Sequence, residues 1–399
     1  MLDQIDLKLL LKWTVLCLIT GICIGSIGAF FLTSLNFVTA LRIQNAYLIY
    51  GLPIVGGIIG YGYYKFGGSA SKGNHLLLES ISDTKIRIPL RMSGMILLST
   101  LLTHLVGGSA GREGTAVQIG GSIAAQWNRW KKFTIIEQQW LIYLGIAGGF
   151  SAVFGTPLAA TVFAVELVKH KKQNYSALLP CLLTAYVSYF TCIAWNVHHT
   201  QYVLHETLSF QIKDLIWTAI AGCLFGGASY LFCSFNKFWR YFFEKIPYPP
   251  ARPILGGTLL LLVLLLTSKQ SLTYLGLGIP TIQAAFLTAQ SPETFFLKIV
   301  FTTFTLSAGF KGGEVTPLFF IGATLGNVLV CFLPLPSALL AGVGFVAVFA
   351  GASKTPIACT LMGMELFGLK YGVHLGIGCT LAYLCSGKLG IYTNEIRTK

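Results

Sequence analysis

The sequence predicts an all-α polytopic membrane protein made of two similar halves with broken helices. Three observations carry this. The 399 residues are 54% hydrophobic and 11% charged, against about 25% charged in a soluble domain. Apolar segments follow one another along the whole chain, and several are shorter than the roughly 20 residues a full span needs. Short segments interrupted by Gly and Pro mark helices broken around a midplane site. Motifs of the first half also recur in the second, in the same order.

Residues 7–38 form the first apolar segment, with Gly21, Gly25 and Gly28 near one face. Small residues so placed allow helices to pack closely. Residues 47–66 form a second span, and a Gly/Ser-rich break, GGSASKGNHLLLES, follows and ends in a short apolar piece. A basic connection over 85–91 leads into a span over 90–106. Beyond the central stretch described below, residues 137–154 and 157–168 are apolar and separated by Gly155, Thr156 and Pro157. Residues 176–195 span again, and 198–213 are a polar connection. The second half holds apolar segments at 215–235, 254–267, 295–308, 318–332, 339–350, 357–367 and 372–385.

The net charge of +14 sits in short connections, with Arg129, Lys131 and Lys132 in one cluster and Lys169, Lys171 and Lys172 in another. That is the positive-inside pattern of a membrane protein rather than a nucleic-acid surface. The ten cysteines are mostly isolated in apolar runs. Without a CxxC pair or Cys/His ligand spacing they read as small packing residues, and no metal or cofactor is expected. The start, MLDQIDLKLLLKW, lacks a basic n-region and a cleavage site, so it does not read as a removed signal peptide. Only residues 394–399 follow the last apolar region, and no soluble regulatory domain is expected at either end.

The halves divide as 1–199 and 200–399. Thr156-Pro157-Leu-Ala-Ala-Thr161 is echoed by Thr355-Pro356-Ile-Ala-Cys-Thr360, and Glu166 and Glu365 each follow their proline by nine residues. Upstream, residues 111–120 align with 313–322, both ending Ile-Gly. A duplicated helical membrane protein with broken helices is usually a transporter or channel with its site where the repeats meet.

The stretch 107–120, GGSAGREGTAVQIG, organises the chain. It sets Arg112 and Glu113 between glycines, with apolar sequence on both sides. An ionisable group at such depth costs about 2.5–3.5 kcal/mol on insertion scales and usually lines a polar path. The residues after Glu113 read as a helix, and helix N-termini attract anions. A site that draws anions and holds a removable proton is the outcome.

At these residues the sequence resembles the CLC family of chloride channels and proton-coupled anion antiporters. Gly111-Arg112-Glu113-Gly114-Thr115 is similar to that family's Gly-basic-Glu-Gly-Pro motif, with Thr115 in place of proline. Gly313-Glu314-Val315-Thr316-Pro317 is similar to its Gly-x-Phe-x-Pro motif, with Val315 in place of phenylalanine, and Tyr392 resembles its C-terminal tyrosine. The resemblance covers about residues 15–393 and implies a homodimer with inverted-topology repeats of tilted and broken helices, and one anion pathway per subunit. The departures resemble the bacterial fluoride/proton antiporter branch. Gly73-Asn74-His75-Leu76-Leu77 stands where chloride-type members carry Gly-Ser-Gly-Ile-Pro, Leu167 stands where chloride/proton exchangers carry an inner glutamate, and Glu314 lies inside the second-half motif.

On this resemblance Glu113 is the gating, proton-carrying glutamate. Its alternative is a buried Arg112–Glu113 pair that fixes the fold. Asn74 offers an amide donor to an anion, or caps the short helix at Leu76, or both. Tyr392 offers a phenol donor; without the resemblance it reads as an interfacial anchor. Gly111, Arg112, Gly114, Val315 and Thr316 complete the expected anion site, the last two with free N–H groups at a helix start. Glu314 either relays protons on the inner side or pairs with Lys311 at the surface. Glu166 and Glu365 read as structural.

The expected function is export of fluoride in exchange for protons, in a multi-pass protein of a bacterial plasma membrane. The alternative is a chloride/proton antiporter or passive chloride channel on the same fold. An enzyme is the other class considered, because Gly107-Gly108-Ser109-Ala110-Gly111 fits the G-x-S-x-G nucleophile elbow and His104 is near. An elbow needs a strand before its serine, whereas the preceding segment reads as a membrane helix.

Overall fold

The computed structural model describes residues 7–168, 175–202, 204, 211–267 and 269–392. The basic cluster at Lys169, Lys171 and Lys172 and the tail 394–399 lie outside the described residues. Among the described residues the helices are, in chain order, α1 (Leu7–Gln44), α2 (Leu52–Gly62), α3 (Asn74–Ser82), α4 (Arg91–Leu105), α5 (Glu113–Ala124), α6 (Trp127–Trp130), α7 (Ile135–Phe154), α8 (Pro157–Glu166), α9 (Leu178–Ala194), α10 (Ile212–Glu244), α11 (Ala251–Leu266), α12 (Ile279–Ala285), α13 (Thr294–Ser307), α14 (Val315–Leu329), α15 (Ser337–Ser353), α16 (Pro356–Phe367) and α17 (Gly372–Cys385). The all-α expectation holds. Four helical stretches, over Lys8–Gln44, Ala46–Ser82, Tyr175–Ala194 and Ile212–Glu244, are long and apolar enough to cross a membrane, and several others are short.

Local chemistry sets the breaks. α8 and α16 each carry proline in their first turn, where the missing N–H satisfies nothing within the helix anyway. Each is preceded by a helix that closes on a left-handed residue: Gly155 after α7 (φ +85°) and Lys354 after α15 (φ +65°). The stretch after α2 widens into a π turn over Tyr63–Gly67 before the Gly/Ser-rich break. α10 runs beyond the expected apolar segment, because residues 236–244 keep burying Phe243 while Phe238, Tyr241 and Phe242 stay exposed.

The chain folds as two compact units, one of Met1–Ser34, Ser69–Leu97 and Glu113–Thr200, the other of Leu35–Gly68, Leu98–Arg112 and Gln201–Lys399. In the first, α5 crosses α7 backbone to backbone. A Cβ added at Gly120 would fall on the Gly145 carbonyl, and one at Gly149 on the Ala116 carbonyl. α1 packs through Gly21 and Gly25 on Val187 and Ser188 of α9, and through Gly28 on Ala152 of α7, so the small-residue face does what its sequence implies. In the second unit α14 crosses α15 in the same manner, with Gly322 on the Gly344 carbonyl and Gly326 on that of Leu340. Phe319 and Phe345 stack beside that crossing, with ring centroids 4.1 Å apart.

Candidate functional site

Residues 106–112 join α4 to α5 without regular structure beyond one bridge. The Gly111 N–H donates to the Gly313 carbonyl at 2.6 Å, and the Gly313 N–H donates back to the Gly111 carbonyl at 2.8 Å. The two motifs singled out in the sequence are thus joined at their leading glycines. Only glycine fits at 111: a Cβ there would lie 2.8 Å from Pro317 Cδ, 2.9 Å from the Gly313 oxygen and 3.1 Å from the Thr316 nitrogen. Gly111, Val315 and Thr316 therefore share one neighbourhood, and Val315 and Thr316 are both buried in the first turn of α14.

The same loop disposes of the hydrolase pattern. Its serine follows a helix, not a strand. Ser109 is fully buried and its Oγ lies 2.9 Å from the Thr302 Oγ1. The ring nitrogens of His104 lie 2.9 Å from the Thr100 carbonyl and 3.1 Å from that of Ala110, so neither is turned to Ser109.

Glu113 is the first residue of α5 and is 1% exposed, and Arg112 before it is 7% exposed. Gly114 and Thr115 are buried behind it. The helix start presents backbone N–H groups and the positive end of the helix dipole to whatever occupies this point.

Asn74 lies in the unit that contains Glu113, and here one expectation is corrected. α3 begins at Asn74 itself; its cap position is Gly73, which adopts φ +57°, and no side chain caps it. Asn74 is the first residue inside the helix rather than ahead of it, and no side-chain cap hydrogen bond is made there. Its Oδ1 is buried and makes no hydrogen bond among the described residues. Gln118 of α5 stands beside this turn, with its amide 3.4–3.5 Å from where a Gly73 Cβ would be.

Glu314 takes the cap position of α14. The expected alternative of a Glu314–Lys311 ion pair is not what the structure has. The Lys311 ammonium sits over the ring of Tyr63, 4.3 Å from its centroid, and among the described residues no ion pair joins it to Glu314. An aromatic face gives this cation an attractive, desolvated partner. Leu167 directly follows α8, and Glu166 and Glu365 lie in the last turns of α8 and α16.

Tyr392 is 6% exposed, buried rather than set at an interface. The segment leading to it is tied down from α15. The Ile391 N–H donates to the Ala352 carbonyl at 2.9 Å, and Lys354 Nζ donates to the Ser386 Oγ and the Gly387 carbonyl, both at 2.7 Å. Lys354, Gln118 and Lys298 escaped the sequence reading. Lys298 is fully buried in α13 and donates to the carbonyls of Tyr274 (2.9 Å) and Gly276 (2.8 Å). Gly276 in turn donates to the carbonyl of Gly108, in the loop before Glu113. A lone lysine inside an apolar run was the available signal.

A family model described as voltage gated chloride channel matches residues 55–387. The chain belongs to that family. It is 41% identical over 396 residues to the chloride/fluoride channel protein of Pseudomonas syringae pv. tomato, covering 98% of this chain and 88% of that one. Among solved structures, a CLC-type fluoride/proton antiporter superposes with a TM-score of 0.93 at 34% identity, over 98% of both chains. A slow cyanobacterial chloride/proton antiporter superposes with a TM-score of 0.80 over 94% of both chains, and at 20% identity this is likeness of fold alone. The resemblance read from the two glycine motifs and the expected CLC-type fold both stand.

Proposed function

We propose that this protein exports fluoride from the cytoplasm in exchange for protons. The observation that carries the reading is Asn74. It replaces the chloride-type motif, is not spent on capping, and sits in the same unit as the buried carboxyl of Glu113. The likeness to a fluoride/proton antiporter of 34% identity supports it.

In this reading Glu113 works as a tethered anion. Deprotonated, it occupies the anion site at the start of α5; protonated, it is neutral and yields the site to fluoride. Proton and anion occupancy are thereby linked at one carboxyl. Asn74 N–H groups, the Tyr392 hydroxyl and the backbone around Gly111, Arg112, Gly114, Val315 and Thr316 replace the water that fluoride gives up. Glu314, whose neighbour Lys311 is engaged elsewhere, takes protons from the inner side. The working form is a homodimer in a bacterial plasma membrane, each subunit formed of inverted repeats over 1–199 and 200–399.

The test is flux from liposomes loaded with fluoride or chloride, read with ion-specific electrodes under a proton gradient. Uphill fluoride movement driven by protons, with chloride strongly rejected, is expected. The competing reading, a chloride-type antiporter or channel on the same fold, has in its favour the P. syringae relative's description as a chloride/fluoride channel protein. Equal rates for the two anions would establish it.

A further inference from the structure

An unassigned cavity lies in the first unit. A cavity of about 430 Å³ opens between the end of α3 with the loop after it, α6 with the residue after α5, and the first turns of α7. Such a volume is that of a small-ligand site. Its polar wall carries Arg87 and Arg129 with Asn128 and Gln138, and its apolar wall carries Ile86 and Ile142. Among the described residues no carboxylate lines it. Three acids are near in sequence, and each has a partner: Glu79 pairs with Lys72, Glu137 pairs with Lys12 and closes the capping box of Thr134, and Asp83 accepts from the Lys85 N–H at 3.0 Å. Among the described residues neither Arg87 nor Arg129 has an ion-pair partner.

The walls are held in place. The loop after α3 is tied to the end of α5, with Ser122 Oγ donating to the Pro89 carbonyl at 2.9 Å and Gln126 Nε2 to that of Ile88 at 3.2 Å. Ser80 Oγ donates to the Ile86 carbonyl at 3.2 Å. Lys85, Arg91, Lys131 and Lys132 flank the lining residues in sequence, and the exposed Trp130 follows Arg129. Basic residues with tryptophan at the end of apolar helices mark a membrane–water boundary.

We infer that this cavity binds the phosphate headgroup of an anionic membrane lipid. Guanidinium groups grip phosphate oxygens through paired N–H donors. Basic pockets between membrane helices select anionic headgroups over zwitterionic ones. The apolar wall of Ile86 and Ile142 fits the first part of an acyl chain, which a soluble phosphate lacks.

The experiment uses the purified full chain in detergent and measures retention of phosphatidylglycerol and phosphatidylcholine by native mass spectrometry. Wild-type protein should retain phosphatidylglycerol preferentially. R87Q/R129Q should lose that preference by roughly tenfold or more, at about 1 kcal/mol per basic residue near the bilayer surface. K131Q/K132Q, which removes equal charge outside the cavity, should retain most of it. Equal retention of the two lipids by the wild type overturns the proposal. So does an unchanged preference in R87Q/R129Q, or an equal loss in K131Q/K132Q. Glycerol phosphate and inorganic phosphate form the second arm: displacement of the lipid by either at matched concentration would make the occupant a free phosphate compound. R87K/R129K, expected to bind between the two, shows whether a misfolded variant explains the loss.

Discussion

The backbone of Gly111 exchanges two hydrogen bonds with that of Gly313, at 2.6 and 2.8 Å, which ties together two motifs 202 residues apart. The space beside Gly111 is filled by Pro317 Cδ, the Gly313 oxygen and the Thr316 nitrogen. Gly111→Ala should therefore cost at least about 1–3 kcal/mol, the usual range for forced overpacking, because two of the three obstacles are backbone atoms. The measurement is the thermal midpoint of the purified protein, together with fluoride flux. A variant with wild-type stability and flux would show that the bridge can open without consequence.

Glu113→Gln keeps the side-chain shape and removes the dissociable proton. Fluoride-driven proton movement in reconstituted vesicles should fall to background. Intact proton pumping in this variant would remove Glu113 from the mechanism.

Glu314→Gln separates the two readings of the second-half motif. Lys311 lies over Tyr63, so no Lys311 ion pair is broken by the change. The coupled flux of both ions should drop about tenfold, a barrier rise of about 1.4 kcal/mol, while the protein stays folded. Near wild-type flux would leave the inner proton route without Glu314.

Fluoride is small and holds its water tightly, so a selective site must offer close, well-aimed donors. A hydrogen bond to a charged partner is worth about 1.5–3 kcal/mol, and about 1.4 kcal/mol is a factor of ten. Asn74→Ser should relax rejection of chloride by roughly tenfold or more. Restoration should be incomplete, because Leu76 and Leu77 still differ from the chloride-type motif. An unchanged fluoride-to-chloride ratio in liposome efflux would take Asn74 out of selectivity.

Lys354 caps α15 in the left-handed region, where the first half uses Gly155. A side chain there costs about 1–2 kcal/mol, and it is offset by the bonds from Nζ to Ser386 and Gly387. Lys354→Gly removes both the strain and the tie. Amide exchange over residues 386–392 should accelerate, and the fluoride KM should rise while Glu113-dependent proton coupling persists. Unchanged exchange in that segment would mean it is held without the Lys354 tie, through bonds such as Ile391–Ala352 and Ser386–Gly351.

The apolar spans, their Gly and Pro breaks and the helix start at Glu113 were legible because each depends on neighbours in sequence. Asn74 was half legible. Its place ahead of an apolar run looks like a cap, and only the positive φ of Gly73 moves the cap position back one residue. The short α12 was missed, since Ile279–Ala285 is too brief to show a helical period. Gln118, Lys298 and Lys354 were missed for another reason. Their partners are remote turns, the nearest 22 residues away for Lys298 and 32 for Lys354. The alternative partner Lys311 for Glu314 was plausible by spacing and was lost to the ring of Tyr63, more than 200 residues earlier.

Where α5 crosses α7 at Gly120 and Gly145, and α14 crosses α15 at Gly322 and Gly344, carbonyl groups occupy the places side chains would fill. Main chain resting on main chain has no compliant layer between its surfaces. An axial slip of even one helical step, about 1.5 Å, would carry neighbouring side chains onto those carbonyls. Each of the two helix pairs thus behaves as one stiff piece. Within either pair the free movements are side-chain torsions, which turn on much shorter timescales than whole helices shift.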